Sequence, residues 1–235
     1  MIEAPSGSQL RGAIFDLGGV LTEPLGRHRE AITDPVELDL LRFFLAEFRD
    51  VYHLPTGAHD LHLLETGAIS DAEFFERMTA RYIAAGGHPH VDARLAEHVV
   101  FGAGMVACAA MIDAVRQVRA GGYRTALLTN ISNSGEAIWR SLMPVDELFD
   151  TVVDSSKEGL RKPDEAIFRL TCRRLGLQPS ECLFVDDLRC NVDAAAELGM
   201  ATIHCHDPVV IADHVVRILL GRGAAEEPGS AAVPA

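Results

Sequence analysis

Gly12-Ala13-Ile14-Phe15-Asp16-Leu17-Gly18-Gly19 is the stretch on which the fold reading turns. Four apolar residues end at a carboxylate followed by two nearby glycines. Such a run reads as a buried parallel strand running into a tight turn. The same pattern returns downstream. Tyr123–Leu128 forms a second run ending at Thr129-Asn130, Phe149–Val153 a third, Cys182–Val185 a fourth ending at Asp186-Asp187, and Ala201–His204 a last. Between them lie helical stretches over 111–120, 135–142, 164–175 and 191–198, most of them stopped by glycine. Alternating strands and helices imply right-handed crossovers and a parallel sheet. The expected class is therefore α/β, with a Rossmann-like parallel core.

After the first strand a polar loop is expected to about Asp34. From there the pattern is helical, with no convincing strand before residue 106. Asp34-Pro35-Val36-Glu37 places a cap, a proline at the first helical position and a glutamate three residues after the cap. Leu38, Leu41, Leu45, Phe48 and Tyr52 follow at helical spacing. Ser70-Asp71-Ala72-Glu73 opens another helix with Phe74, Phe75, Met78 and Tyr82 on one face, ended by Gly86-Gly87. The expected organisation is a core of residues 1–21 and 107–220, an all-helical cap of residues 22–106 inserted after the first strand, and a flexible tail of 221–235. Hinges are expected near 20–26 and 103–110.

The 235 residues suit one α/β domain with a sizeable insertion, or two small domains, and 48% apolar content supplies a core. Formal charge is −13, from 21 Lys and Arg against 34 Asp and Glu. That balance argues against nucleic acid and against an anionic membrane surface as partners. Five cysteines form no CxxC pair, no apolar run reaches membrane-spanning length, and the N-terminus carries no basic-then-apolar leader. The expected location is cytoplasmic. Nothing in the pattern encodes the oligomeric state.

In an open parallel sheet, ligands bind beyond the carboxyl ends of the strands. The residues at those ends are Asp16, Thr129 with Asn130, Lys162 soon after the third strand, and Asp186 with Asp187. Three carboxylates make a hard-oxygen site suited to Mg²⁺. A lysine supplies a cation for phosphate, a threonine hydroxyl donates to phosphoryl oxygens, and Asp16 is placed to act as a covalent nucleophile. Taken singly, Asp16 also reads as a turn residue, Lys162 as a surface lysine before a helix, and Asn191 as a helix-starting residue. His88-Pro89-His90 and His204-Cys205-His206 match no zinc spacing and read as loop histidines.

The chain resembles the haloacid dehalogenase-like hydrolases, above all the helical-cap phosphatases similar to the phosphatase domain of soluble epoxide hydrolase. Four segments over residues 11–207 carry the resemblance: Phe15–Leu21, Leu127–Asn130, Gly159–Asp164, and Phe184–Asp187 followed by Asn191 and Ala194-Ala195. The resemblance implies a Mg²⁺-dependent phosphatase acting on a small phosphorylated metabolite through an aspartyl-phosphate intermediate. It implies Asp16 as nucleophile and Thr129, Asn130 and Lys162 as phosphate-binding groups. The implied metal ligands are Asp16, the Gly18 backbone carbonyl, Asp186 and Asp187, with Asn191 in support.

The chain departs from that pattern at Gly18, where these phosphatases carry a second aspartate that serves as general acid and base. Three explanations stand. The leaving group needs little protonation, a cap residue such as Glu23, His62, Glu65 or Asp71 substitutes, or the enzyme is weak or retired. The alternative functions are a 2-haloacid dehalogenase, which also lacks the second aspartate but needs no Mg²⁺, and a non-enzymatic phosphate- or partner-binding protein.

Overall fold

A computed structural model describes residues 9–23, 32–49, 51–54, 56–101, 105–133 and 136–221. The polar N-terminal residues 1–8, the expected hinge positions 24–26 and 103–104, and the expected tail from 222 lie outside the described residues. Strands β1 (Gly12–Phe15), β2 (Arg124–Thr129), β3 (Thr151–Asp154), β4 (Cys182–Asp186) and β5 (Ala201–His204) form one sheet in the order β3-β2-β1-β4-β5. Every pairing is parallel. β1 sits in the middle because its four residues are wholly apolar or glycine and buried on both faces. Phe15 registers with Leu127 on one side and Val185 on the other. The strand ends carrying residues 16, 129 and 186 therefore emerge side by side.

Helices cover both faces. On one lie α5 (Ala109–Ala120) and α11 (Pro208–Leu220), packed with Ala13 and Phe15 around a cluster that includes Trp139 and Phe149. On the other lie α9 (Glu165–Leu175) and α10 (Arg189–Glu197), packed with Ile14, Phe168 and Phe184. Alternation of side chains along β1 assigns its residues to these two layers.

Between the first two strands, α1 (Pro35–Phe48), α2 (Asp60–Glu65), α3 (Asp71–Ala84) and α4 (Ala93–Phe101) build a separate apolar cluster of their own. The caps act as expected. Asp34 accepts from the N–H groups of Val36 and Glu37, and Ser70 from that of Glu73. The connections into and out of this segment run antiparallel at Thr22 and Ala107, where Cys108 N donates to Leu21 O and Glu23 N to Val106 O. No helix among the described residues is long and apolar enough to cross a membrane.

Two local expectations are corrected. The residues after Asp16 are no polar loop: Leu17–Leu21 form a compact turn that buries Leu17, Val20 and Leu21 against the sheet. Leu41 of the expected stripe is buried and Phe48 packs on the cluster, but Leu40 and Phe44 complete the buried face of α1 in place of Leu38 and Leu45, the latter 40% exposed. The sequence Leu38-Asp39-Leu40-Leu41-Arg42-Phe43-Phe44-Leu45 offers overlapping apolar stripes, and contact with Phe74, Phe75 and Tyr82 selects the one that buries aromatic area. α1 ends at Phe48, so Tyr52 belongs to a separate short turn, Val51–His53.

Candidate active site

Asp16 closes β1, its amide still in the sheet ladder through Val185 O at 3.0 Å. The turn that follows holds two glycines with different reasons for being there. Gly19 has φ +66, and a Cβ on it would lie 2.6 Å from Asp187 Oδ2, so both the backbone and the neighbouring carboxylate require glycine. Gly18 has φ −68, and a Cβ there would meet nothing within 4 Å. A Cβ at 18 meets no obstacle, so the backbone and its nearest neighbours do not require glycine there.

Lys162 enters from the loop between α8 (Ser155–Glu158) and α9. Its side chain is buried, with Nζ 2.7 Å from Asp16 Oδ1, 2.7 Å from Asp186 Oδ2 and 3.1 Å from Leu128 O. Asn130, just past β2, fixes that loop: Lys162 N donates to its Oδ1 and its Nδ2 donates to Lys162 O, both at 2.9 Å. Thr129 is buried at the end of the same strand. Asp186 accepts from Leu188 N at 2.8 Å and from Asn191 Nδ2 at 3.0 and 3.2 Å. Asp187 is half-buried beside it. One oxygen from each of Asp16, Asp186 and Asp187 lies within 4.8 Å of the others. The structure thus brings together the residues read from the strand ends.

The electrostatics follow from crowding three carboxylates around one ammonium. Burial pushes Asp16 up to about 8; Lys162 opposes that rise, while Asp186 and Asp187 add to it. Burial and then Asp186 push Asp187 up to about 6. Burial works against the charge on Lys162, but Asp16 and Asp186 outweigh it and raise its pKa.

Of the four residues named as substitutes for a carboxylate at 18, Glu65 reaches this site. It is 5% exposed, at the end of α2, with Oε2 3.4 Å from Asn130 Nδ2. His62 is fully buried and its Nε2 pairs with Val51 O at 2.8 Å. Asp71 opens α3, and Glu23 stands in the antiparallel connection to Val106. Sequence reading did not single out Arg161 or Tyr52. Arg161 Nε donates to Glu65 Oε2 at 2.8 Å, and its guanidinium carbon stands 5.6 Å from the centre of the Tyr52 ring. Adjacency to Lys162 was the available signal, but an arginine in a loop before a helix reads as surface.

A sequence profile of the family described as haloacid dehalogenase-like hydrolase matches residues 10–199. The chain belongs to that family. The mouse acyl-CoA dehydrogenase family member 10 is 48% identical to this hydrolase over 101 residues, 42% of the chain and 9% of that protein. Mouse bifunctional epoxide hydrolase 2 is 26% identical over 214 residues, 84% of the chain and 37% of that protein. The match therefore spans only a minor part of either relative's length. Among solved structures, a haloacid dehalogenase family enzyme of Bacteroides thetaiotaomicron in complex with magnesium and inorganic phosphate superposes with TM-score 0.60 at 22% identity, covering 83% of this chain and 93% of that one. An L-2-haloacid dehalogenase superposes with TM-score 0.66 at 18% identity, covering 88% and 99%. At these identities the superpositions establish the shared fold.

Proposed function

We propose that this hydrolase is a Mg²⁺-dependent phosphatase acting on a small phosphorylated metabolite, with residues 1–21 and 107–220 as catalytic core and the helical segment 22–106 as a cap over it. The observation that carries the reading is the convergence of Asp16, Lys162, Asp186 and Asp187 around one small volume.

The donor set fits Mg²⁺. It is all oxygen and triply carboxylate, and burial together with mutual repulsion holds two of its members above their ordinary pKa, an excess of negative charge that a divalent cation relieves. Asp16, Asp187 and the Gly18 carbonyl are the ligands proposed, with Asp186 beside them. Both Asp186 oxygens already accept from Lys162, Leu188 and Asn191, which leaves Asp187 the freer of the doublet. A bound Mg²⁺ would supply neutralising charge for phosphoryl oxygens.

The chain's own groups do the rest. Asp16 attacks phosphorus, forming an acyl phosphate as the bond to the leaving oxygen breaks. Lys162 holds the attacking carboxylate and a phosphoryl oxygen, and Thr129 donates to another. Asn130 keeps the lysine loop in place. Water then cleaves the acyl phosphate and frees Asp16. Because position 18 offers no acid, the reading favours leaving groups that depart without protonation, such as a sugar 1-phosphate or an acyl phosphate. Five cysteines, an odd number with no CxxC pair, fit a cytoplasmic setting.

Gly18 and the dehalogenase-like fold favour a second reading, 2-haloacid dehalogenation by the same Asp16. The test is hydrolysis of p-nitrophenyl phosphate and dechlorination of 2-chloropropionate, each with Mg²⁺ and with EDTA. The phosphatase reading requires ester hydrolysis that EDTA and Asp16→Asn abolish. Metal-independent dechlorination without ester hydrolysis overturns it.

A further inference from the structure

Arg161 is fully buried, yet its terminal nitrogens Nη1 and Nη2 meet no hydrogen-bond acceptor among the described residues. Only Nε is used, by Glu65. A guanidinium carries five donors and never gives up its charge, so burying it with two nitrogens unsatisfied is costly. If the arginine served only to tie the helical segment to the sheet, the Glu65 contact would suffice and the idle nitrogens would be a pure loss.

Their place indicates what would use them. Glu65 Oε2 accepts from both Arg161 Nε and Asn130 Nδ2, and Asn130 holds the main chain of Lys162, whose Nζ touches Asp16. The guanidinium is therefore linked to the nucleophile by a short chain of polar contacts. Tyr52 covers it from the helical segment and reaches Glu65 Oε1 at 3.5 Å. Burial pushes the Tyr52 phenol up, Glu65 adds to the rise and Arg161 opposes it. Arg161, Tyr52 and Glu65 thus stand where the helical segment meets the loop that carries Lys162. A planar guanidinium with two adjacent free ends matches paired anionic oxygens, and a partner there would complete a site otherwise short of acceptors.

We propose that Arg161 is a specificity-determining residue whose Nη1 and Nη2 bind a second anionic group, a carboxylate or a phosphate, on the substrate's leaving group. The inference rests on the phosphatase reading for the position of the first phosphate. Glu65 and Tyr52 hold the guanidinium in register, Glu65 by ion pair and Tyr52 by its ring face.

The test uses the full chain with Asp16→Asn, so that esters bind without turning over, and calorimetric titration in Mg²⁺. Hydroxyethyl phosphate is the reference without a second anionic group, phosphoglycolate carries a carboxylate in place of its hydroxymethyl group, and ethylene glycol bisphosphate carries a second phosphate. At least one charged ester should bind about tenfold or more tighter than the reference, as a charge-assisted bond pair implies; which of the two gains identifies the anion. Adding Arg161→Gln should bring that ratio to within about twofold of unity, and Arg161→Lys should lower it severalfold, because the ammonium lacks the planar fork. Equal affinity for all three esters, or a ratio unchanged in both arginine variants, overturns the proposal. If Arg161→Gln fails to fold, the ratio in the arginine-containing protein and in Arg161→Lys still decides it. Wild-type protein that hydrolyses neither p-nitrophenyl phosphate nor acetyl phosphate while the affinity ratio holds would overturn the phosphatase reading and leave the arginine subsite standing.

Discussion

Lys162 Nζ stands 2.7 Å from Asp16 Oδ1, and both side chains are buried. The same ammonium stands 2.7 Å from Asp186, so it is the shared counter-charge of two carboxylates that no water fully solvates. Replacing it with methionine leaves those carboxylates facing each other. Lys162→Met should lower kcat by about 10²–10³-fold, as loss of a charge-stabilising donor does. Breaking a buried ion pair from one side should also cost about 3–5 kcal/mol of stability. Steady-state kinetics and urea denaturation check the two effects. Activity within threefold of wild type would remove Lys162 from the proposed site.

The acidic doublet should divide by role. Asp186 is held by Leu188 N, Asn191 and Lys162, and Asp187 packs against Gly19. Asp186→Ala should reduce both activity and melting temperature. Asp187→Ala should raise the Mg²⁺ concentration needed for half-maximal activity by about tenfold or more while changing melting temperature little, since among the described residues no other side chain donates to it. Titrating activity against Mg²⁺ in both variants separates the two.

The adjacent glycines should respond oppositely to substitution. Gly18→Asp should fold with near wild-type stability, because its backbone is ordinary and the space beside it is empty. It should speed hydrolysis of alkyl phosphates, whose leaving groups need a proton, by up to about 10²-fold, and nitrophenyl phosphate much less. Gly19→Ala should lose stability and Mg²⁺ affinity together, since the new methyl strains a positive φ and displaces Asp187. Melting curves and kinetics on the two ester types check this.

Asp150 should make stability pH-dependent. It accepts from Thr125 N at 2.9 Å and pairs with Arg119 at 2.9 Å. Burial raises its pKa, but the Thr125 amide and Arg119 outweigh that and hold it below the ordinary value. A folded pKa below the unfolded one means that the folded state binds fewer protons in that window. The stabilisation is therefore present above the unfolded value of about 4 and lost as pH falls through the folded one. Asp150→Asn should cost about 1–2 kcal/mol at pH 7, and the difference from wild type should shrink towards pH 3. Urea denaturation at the two pH values measures it.

Much of this architecture is legible in the sequence because burial on both faces leaves a simple trace. Gly12–Phe15 and Cys182–Val185 are short apolar runs ending in carboxylates, and the sheet aligns those ends. α11 was not legible. Pro208–Leu220 contains Val209, Val210, Ile211, Val215, Val216 and Ile218, a β-branched run that periodicity alone does not distinguish from a buried strand. Tyr52, Glu65 and Arg161 come from distant parts of the chain, and their spacing in sequence carries no sign that they meet. Arginine is rarely buried, so composition points the wrong way for residue 161.

In the proposed reaction Asp16 carries the phosphoryl group during turnover. Without a carboxylate at 18 to activate water, the second half of the reaction is the slower half, so the acyl phosphate should accumulate. Acid-quenched rapid mixing of wild-type protein with p-nitrophenyl phosphate and Mg²⁺ should show a burst of nitrophenol approaching one equivalent. Mass spectrometry of the same samples should find a phosphoryl group on the peptide containing Asp16. The burst should vanish with EDTA and in Asp16→Asn. Sustained ester hydrolysis in Asp16→Asn, or turnover with no phosphoryl mass on that peptide at any time, would contradict the account.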